Sequence, residues 1–191
     1  MITTDTAELF FALLTLVANA AVLGGVGLWI AARWSKGAAL ALDDVRIELT
    51  RFGVPLAFAV AATAMLGSLY FSEVAHFTPC RLCWYQRICM YPLTIVTLLA
   101  ALANDRMVCR YVLPLPLVGA CVSVYHILVE NNVVEQARAC LISAPGGCAT
   151  KWIDEFGYVT IPTLALTGFA LCFAFLLLGA LPPPSATVRE Q

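Results

Sequence analysis

The most informative stretch of this chain begins where a long apolar segment starts and reads Cys80-Arg81-Leu82-Cys83-Trp84-Tyr85-Gln86-Arg87. Its two cysteines are separated by two residues, which is the spacing of many redox-active dithiols. An arginine follows one helical turn after the second cysteine. A dithiol at the edge of a membrane segment indicates electron transfer rather than packing.

The rest of the chain is too apolar for an ordinary water-soluble domain. Hydrophobic residues make up 61% and charged residues 12% of its 191 residues, and the mean hydropathy is +0.87. A spanning helix needs about 20 mostly apolar residues. Five stretches meet or approach that length: 9–32, 53–71, 88–103, 111–129 and 158–181. They are too long and too uniformly apolar for barrel strands, so the sequence predicts an all-α, polytopic membrane helix bundle.

The charges around the first span predict a retained helix with its N-terminus outside. Asp5 and Glu8 precede it, and Arg33 and Lys36 follow it, which is the reverse of a secretory signal. Lys and Arg accumulate on the cytoplasmic side. This orientation places seven of them inside: Arg33, Lys36, Arg46, Arg51, Arg106, Arg110 and Arg189. It places four outside: Arg81, Arg87, Arg138 and Lys151.

The same orientation sorts the eight cysteines. Those on the outer face, where disulfides form and persist, are Cys80, Cys83, Cys140 and Cys148. Cys109 falls on the inner side. Cys89, Cys121 and Cys172 lie within or near apolar spans and are predicted to be structural. The four outer cysteines are compatible with three pairings.

Three segments outside the spans carry further predictions. Residues 38–52 mix charged and apolar side chains, which indicates a short cytoplasmic surface helix. The outer loop 130–157 contains a Pro145-Gly146-Gly147 turn, which would let Cys140 and Cys148 approach bonding distance. Residues 151–156 have the composition of a helix lying in the headgroup plane.

Two side chains near the dithiol suit catalysis. A thiolate is favoured near a helix N-terminus or a cation, and Pro79 suits the start of a helix. Arg87 could stabilise a Cys83 thiolate or an oxygen anion on a bound electron acceptor. The alternative is an interfacial arginine whose side chain extends to a lipid phosphate and has no catalytic role. His126 is either structural or a donor to a ring carbonyl, with Glu130 one turn away.

These residues together carry a family resemblance. The motifs are Cys80-Arg-Leu-Cys83-Trp-Tyr-Gln-Arg87-Ile-Cys-Met-Tyr-Pro, Val124-Tyr125-His126-Ile-Leu, a second outer cysteine pair, and Phe156-Gly157-Tyr-Val-Thr-Ile-Pro162. Over residues 53 to 181 the chain resembles the disulfide bond formation protein B (DsbB) family, and is nearer its shorter BdbC-type members. The resemblance implies a four-helix redox domain at 53–181, with an additional N-terminal helix and connector at 1–52. Pro182-Pro183-Pro184 ends the last span, and the polar residues after it predict a disordered cytoplasmic tail at 182–191.

The resemblance also implies a reaction. It would be the oxidation of a thioredoxin-fold, DsbA-like partner outside a bacterial cytoplasmic membrane, with electrons passed to ubiquinone or menaquinone. Cys140 and Cys148 resemble the pair that exchanges with the partner, Cys140 forming the mixed disulfide. Cys80 and Cys83 resemble the quinone-proximal pair, with Cys83 facing the quinone. Arg87 and His126 resemble quinone-site residues.

Other classes fit part of the pattern. Four thiolates could hold a structural metal ion, since two residues between cysteines is a common zinc spacing, but Arg87 adds positive charge there and no metal is expected. An enzyme similar to vitamin K epoxide reductase would send electrons the opposite way. A membrane scaffold with structural disulfides would have no activity. No feature indicates a nucleic-acid partner.

Overall fold

The helices of this protein are described by a computed structural model over residues 4–180. Their bounds are α1 Thr4–Ala31, α2 Lys36–Leu69, α3 Arg81–Ala103, α4 Val108–Val112, α5 Pro114–Glu130, α6 Arg138–Leu141 and α7 Ile161–Ala180. A π-helical turn, Tyr70–Val74, extends α2, and a 3-10 turn, Gly147–Ala149, lies between α6 and α7. The predicted tail at 182–191 lies outside the described residues.

Five helical segments within residues 4–180 are long and apolar enough to cross a membrane. They are α1, α2 with its π-helical turn, α3, α4 with α5, and α7. The predicted all-α, polytopic membrane bundle is confirmed.

The second span begins much earlier than predicted. Ser35 caps α2 by accepting a hydrogen bond from the Ala38 N–H at 3.4 Å, and the helix then continues through Gly53 and Pro55. Residues 38–52 are therefore the first part of one 34-residue helix, and the prediction of a separate short helix is wrong. The division at 52/53 stays a prediction, although no helix break marks it.

The core of the bundle is formed where α7 packs against α2 and α5, with α3 contacting both of these helices. Small residues allow this packing. A Cβ atom at Gly53 would lie 2.6 Å from the Phe175 carbonyl oxygen, and one at Gly119 would clash with the Phe169 ring. Since helices in lipid associate largely through close packing, these glycines set the separation of the helices.

The two ends of the bundle differ in chemistry. At one end Arg106 Nη2 donates to the carbonyl oxygens of Thr50 and Gly179, at 3.0 and 3.2 Å, beside the fully buried Cys109. At the other end, the start of α3 carries Cys80. The 23 residues of α3 separate these ends by about 35 Å, so Cys109 is remote from the dithiol, as predicted.

The predicted headgroup helix at 151–156 is wrong. The segment is irregular and ends in an isolated bridge between Glu155 and Val159. Phe156 and Gly157 have positive φ values of 55° and 76°, which an α-helix excludes. Trp152 instead stacks on Phe77, with ring centroids 5.0 Å apart.

Candidate redox site

The dithiol lies at the start of α3. Cys80 is the residue that caps this helix, and its Sγ accepts the Cys83 N–H at 3.3 Å. The two sulfur atoms are 3.0 Å apart, about 1 Å beyond a disulfide bond. Because the helix begins at Arg81, Pro79 precedes the cap rather than occupying the first helical position. Since Cys80 is the cap, it lies at the positive N-terminal end of the helix dipole, as the sequence suggested.

The surroundings of Cys80 favour its thiolate. A hydrogen bond from the Cys83 thiol is the largest influence lowering the pKa of Cys80, and a hydrogen bond and positive charge from His126 act in the same direction. Burial opposes them, since the residue is only 4% exposed. The net effect is a pKa well below that of an ordinary thiol.

The second cysteine pair forms a disulfide. Cys140 lies in α6 and Cys148 lies in the 3-10 turn, and both are buried. Ser143 Oγ accepts the Arg81 N–H at 3.1 Å, which fixes this loop to the start of α3. Gln136 Oε1 accepts the Cys148 N–H at 3.0 Å. The sequence left three pairings of the outer cysteines open. The structure has the Cys140–Cys148 bond, with Cys80 and Cys83 as free thiols.

The two pairs meet in a single buried cluster. Cys80, Cys140 and Cys148 belong to it together with Leu82 and Val129, and Cys83 packs against its edge. Thiol–disulfide exchange requires a sulfur to reach a sulfur. The cluster brings the two pairs into the same apolar space at one end of the bundle.

His126 lies between the two pairs. Its Nε2 is 3.1 Å from the Cys148 carbonyl oxygen and 3.7 Å from Cys80 Sγ. A carbonyl oxygen can only accept a hydrogen bond, so the contact with Cys148 O requires a proton on Nε2. The same N–H group also faces Cys80 Sγ. The ring is 3% exposed, and its Nδ1 has no hydrogen-bond partner within residues 4–180.

A cavity of about 340 Å³ opens on the other side of the dithiol. Cys83 and Arg87 line it together, which confirms that they share a face of α3; Cys80 is not part of its lining. Most of the wall is apolar and comes from α1, α2, α3 and α7. This volume is in the range of small-molecule sites. An apolar cavity with a guanidinium and a thiol at its wall fits a quinone, whose carbonyl oxygens need hydrogen-bond donors.

Arg87 is held by the end of α2. Its Nε donates to Ser68 Oγ and its Nη2 to the Ser68 carbonyl oxygen, both at 2.9 Å. The Tyr91 hydroxyl also reaches Ser68 Oγ, at 3.4 Å. An arginine has five N–H donors, so these bonds leave others for a ligand. Within residues 4–180 no carboxylate forms a salt bridge with Arg87.

The structure separates two predicted residues and adds three to the cavity. His126 does not line the cavity with Arg87, because its face of α5 points at the sulfur cluster. Its role at the acceptor stays a prediction. Ser68, Phe77 and Trp152 line the cavity and were not predicted. Phe77 and Trp152 are far apart in sequence, so only their aromatic character could have suggested a contact.

The predicted alternative of a metal ion bound by four thiolates does not match the ligands that the structure offers. The disulfide removes Cys140 and Cys148 as thiolate ligands. Cys80, Cys83 and His126 have ligand atoms within 4.8 Å of one another. These three are also the groups expected to move electrons and protons, so metal analysis of the purified protein separates the two interpretations.

Comparison with known proteins identifies the family. The family model described as "Disulfide bond formation protein DsbB" matches residues 50–179. This chain belongs to the DsbB family. The matched residues contain the dithiol, Arg87, His126 and the Cys140–Cys148 disulfide, and they leave out all of α1.

Individual relatives agree with this assignment to the DsbB family. "Disulfide bond formation protein C" of Bacillus subtilis (strain 168) is 46% identical over 121 residues, which is 62% of this chain and 86% of that protein. A "Probable disulfide formation protein" of Deinococcus radiodurans is 44% identical over 143 residues, 71% of this chain and 92% of that protein. No solved structure matches the chain. The chain is thus a disulfide-forming, multi-pass membrane oxidoreductase.

Proposed function

We propose that this protein is a quinone-dependent protein-dithiol oxidoreductase that reoxidises a thioredoxin-fold, DsbA-like partner outside a bacterial cytoplasmic membrane. The observation that carries the proposal is the position of the dithiol. Cys80 belongs to the buried cluster that contains the Cys140–Cys148 disulfide, whereas Cys83 lines the apolar cavity. A dithiol between a disulfide and an acceptor cavity suits transfer from one to the other.

The first exchange takes place at the loop disulfide. A partner thiolate attacks Cys140, the Cys140–Cys148 bond breaks, and Cys148 leaves as a thiolate. The partner's second thiolate then attacks the mixed disulfide. The partner ends as a disulfide, and its two electrons and two protons reside on Cys140 and Cys148.

The second exchange passes these electrons inward. One thiolate of the loop pair attacks Cys80 of an oxidised Cys80–Cys83 pair, and Cys83 leaves as a thiolate. The other loop sulfur then displaces Cys80 and restores the Cys140–Cys148 disulfide. The Nε2–H of His126 faces Cys80 and is positioned to stabilise the developing thiolate.

The last step returns the dithiol to its disulfide. A membrane quinone, when bound, supplies the oxidising power by taking two electrons and two protons to become a quinol. Cys83 lies at the cavity wall, and Arg87 offers N–H donors to an oxygen that gains negative charge. The Ser68 hydrogen bonds fix the guanidinium, so it need not reorganise during the reaction.

Quinone reduction by the purified protein, with a reduced thioredoxin-fold donor, tests the proposal. We expect Cys83→Ala to abolish quinone reduction and Cys140→Ala to abolish exchange with the donor. Arg87→Ala should raise the KM for quinone about tenfold or more, since hydrogen bonds from a charged group contribute about 1.5–3 kcal/mol. Cys121→Ala is the matched control, because Cys121 is exposed on α5 away from the cluster.

Two results would contradict the proposal. Full activity of Cys140→Ala would eliminate the relay through the loop pair. Net oxidation of quinol with reduction of the donor disulfide would favour the reverse reaction, as in an enzyme similar to vitamin K epoxide reductase.

A further inference from the structure

The N-terminal helix forms part of the cavity beside the dithiol. Phe11, Leu14, Thr15 and Ala18 of α1 line the same cavity as Cys83. This helix precedes the residues that match the DsbB family. It is therefore a feature of this chain that the family's redox chemistry does not by itself require.

Specific contacts hold α1 in this place. The Thr167 hydroxyl of α7 donates to Asn19 Oδ1 at 3.2 Å, and such hydrogen bonds between helices in lipid contribute to their association. The Phe11 ring fills the space beside Gly67 of α2, where a Cβ atom would lie 2.7 Å from it. Thr15 donates to the Phe11 carbonyl oxygen within α1 and so leaves no unpaired hydroxyl at the cavity.

The opposite face of α1 is apolar and exposed. Leu13, Val17 and Leu23 are 48%, 67% and 72% exposed on the surface of the protein. In a membrane this face contacts lipid. The helix therefore lies between the lipid and the cavity, on the side where it packs against α2 and α7.

The cavity is longer than a quinone ring. Its lining along α2 and the π-helical turn that extends it runs from Ala59 to Ser72, which is about 20 Å of helix. Cys83 and Phe77 lie at the redox end, and Ala18 lies about 10 Å further along α1 than Phe11. The deep part is lined mainly by apolar side chains, and the hydroxyls of Thr63 and Thr167 there donate to Ala59 O and Asn19 Oδ1. Arg87 is the only charged residue that the described part of the chain contributes to this lining. An apolar tail is the chemistry that fits it.

We propose that α1 is a specificity-determining wall of the acceptor cavity, which holds the apolar tail of a quinone whose ring lies at Cys83 and Arg87. The proposal rests on the proposed function, because it names the form of acceptor that the same site takes. It assigns a role to α1 beyond anchoring: the helix selects tailed, membrane-borne quinones over small water-soluble ones.

The test measures binding without turnover. The dissociation constants of a decyl-tailed quinone and its tail-free counterpart are measured without dithiol, by quenching of tryptophan fluorescence; Trp152 lines the cavity. Ala18→Phe fills the deep part, so we expect it to weaken the tailed quinone about tenfold and the tail-free one less than about twofold. Ala20→Phe, on the exposed side of α1, is the matched control and should change neither.

A second pair of variants removes side-chain volume instead of adding it. Leu14→Ala should weaken binding of the tailed quinone about fivefold, whereas Leu13→Ala, an exposed neighbour outside the cavity, should not. If both Ala18→Phe and Leu14→Ala bind the tailed quinone as the wild type does, α1 is not a wall of the site.

The failure of this inference can be distinguished from failure of the proposed function. Wild-type protein that reduces quinone through Cys83, with α1 variants that bind normally, contradicts the role of α1 alone. Wild-type protein that binds neither quinone contradicts both.

Discussion

The contacts of His126 were not predictable from its position in the sequence. Its apolar helix and its depth predicted either a structural residue or a donor at the acceptor with Arg87, and its Nε2 contacts Cys148 O and Cys80 Sγ. The rotation of α5 about its own axis decides these contacts, since it turns the face that carries His126 toward the loop with Cys148. A single helix pattern predicts which residues share a face, as with Cys83 and Arg87, but not what that face meets.

The contact with Cys80 predicts a measurable effect of His126→Asn. Because the hydrogen bond and charge of His126 lower the pKa of Cys80, the variant should raise that pKa by about one unit or more. The rate of alkylation of Cys80 in the reduced protein, followed by mass spectrometry against pH, reports it. The thiolate should then persist to lower pH in the wild type than in the variant.

His76→Asn is the control for this measurement, since His76 is the other histidine of the chain and Asn tolerates its positive φ of 58°. It should leave the alkylation profile of Cys80 unchanged. Identical profiles for the wild type and His126→Asn would show that the ring does not stabilise the thiolate.

Helix packing depends on small residues where α2 meets α7. Gly53→Ala would place a methyl group 2.6 Å from the Phe175 carbonyl oxygen, a backbone atom that cannot rotate away. We expect the two helices to separate at a cost of about 1–3 kcal/mol. Thermal unfolding in detergent, followed by circular dichroism, should show a lower melting temperature.

Gly24→Ala is the matched control, because nothing lies within 4 Å of a Cβ atom at that position in α1. It should leave the melting temperature unchanged or slightly higher, since alanine favours a helix more than glycine does. Equal melting temperatures for the two variants would mean that α2 and α7 do not pack as closely as described.

The elements themselves were largely predictable, and their ends were not. Long apolar runs predicted five spanning helices, because lipid requires the backbone to satisfy its own hydrogen bonds. The charged segment 38–52 was predicted as separate, yet it continues into the span without a break at Pro55. The prediction of a headgroup helix at 151–156 was wrong because Ile153 is buried and Trp152 stacks on Phe77. Composition alone does not reveal these tertiary contacts.

At the scale of the whole molecule, the proposed orientation places the redox end outside the cytoplasmic membrane. Ile142, 84% exposed, lies two residues beyond Cys140, and Met107, 57% exposed, lies at the opposite end near Cys109. An impermeant maleimide applied to intact cells should label Ile142→Cys. It should label Met107→Cys only after the membrane is opened, as determined by residue-resolved mass spectrometry.

Labelling of Met107→Cys alone in intact cells would invert the topology and contradict a partner outside the cell. Labelling of both positions in intact cells would mean that the two ends do not lie on opposite sides of one membrane.

The sequence by itself determined the membrane class, the dithiol and the shared face of Cys83 and Arg87, because these depend on hydropathy and on helical periodicity within one segment. Only the tertiary structure decided that Cys80 faces the loop disulfide, that Ser68 holds Arg87, and that α1 lines the cavity. Each of these is a contact between segments distant in the chain. The rotation of one apolar helix against another follows from the packing of all of them together, which no single segment encodes.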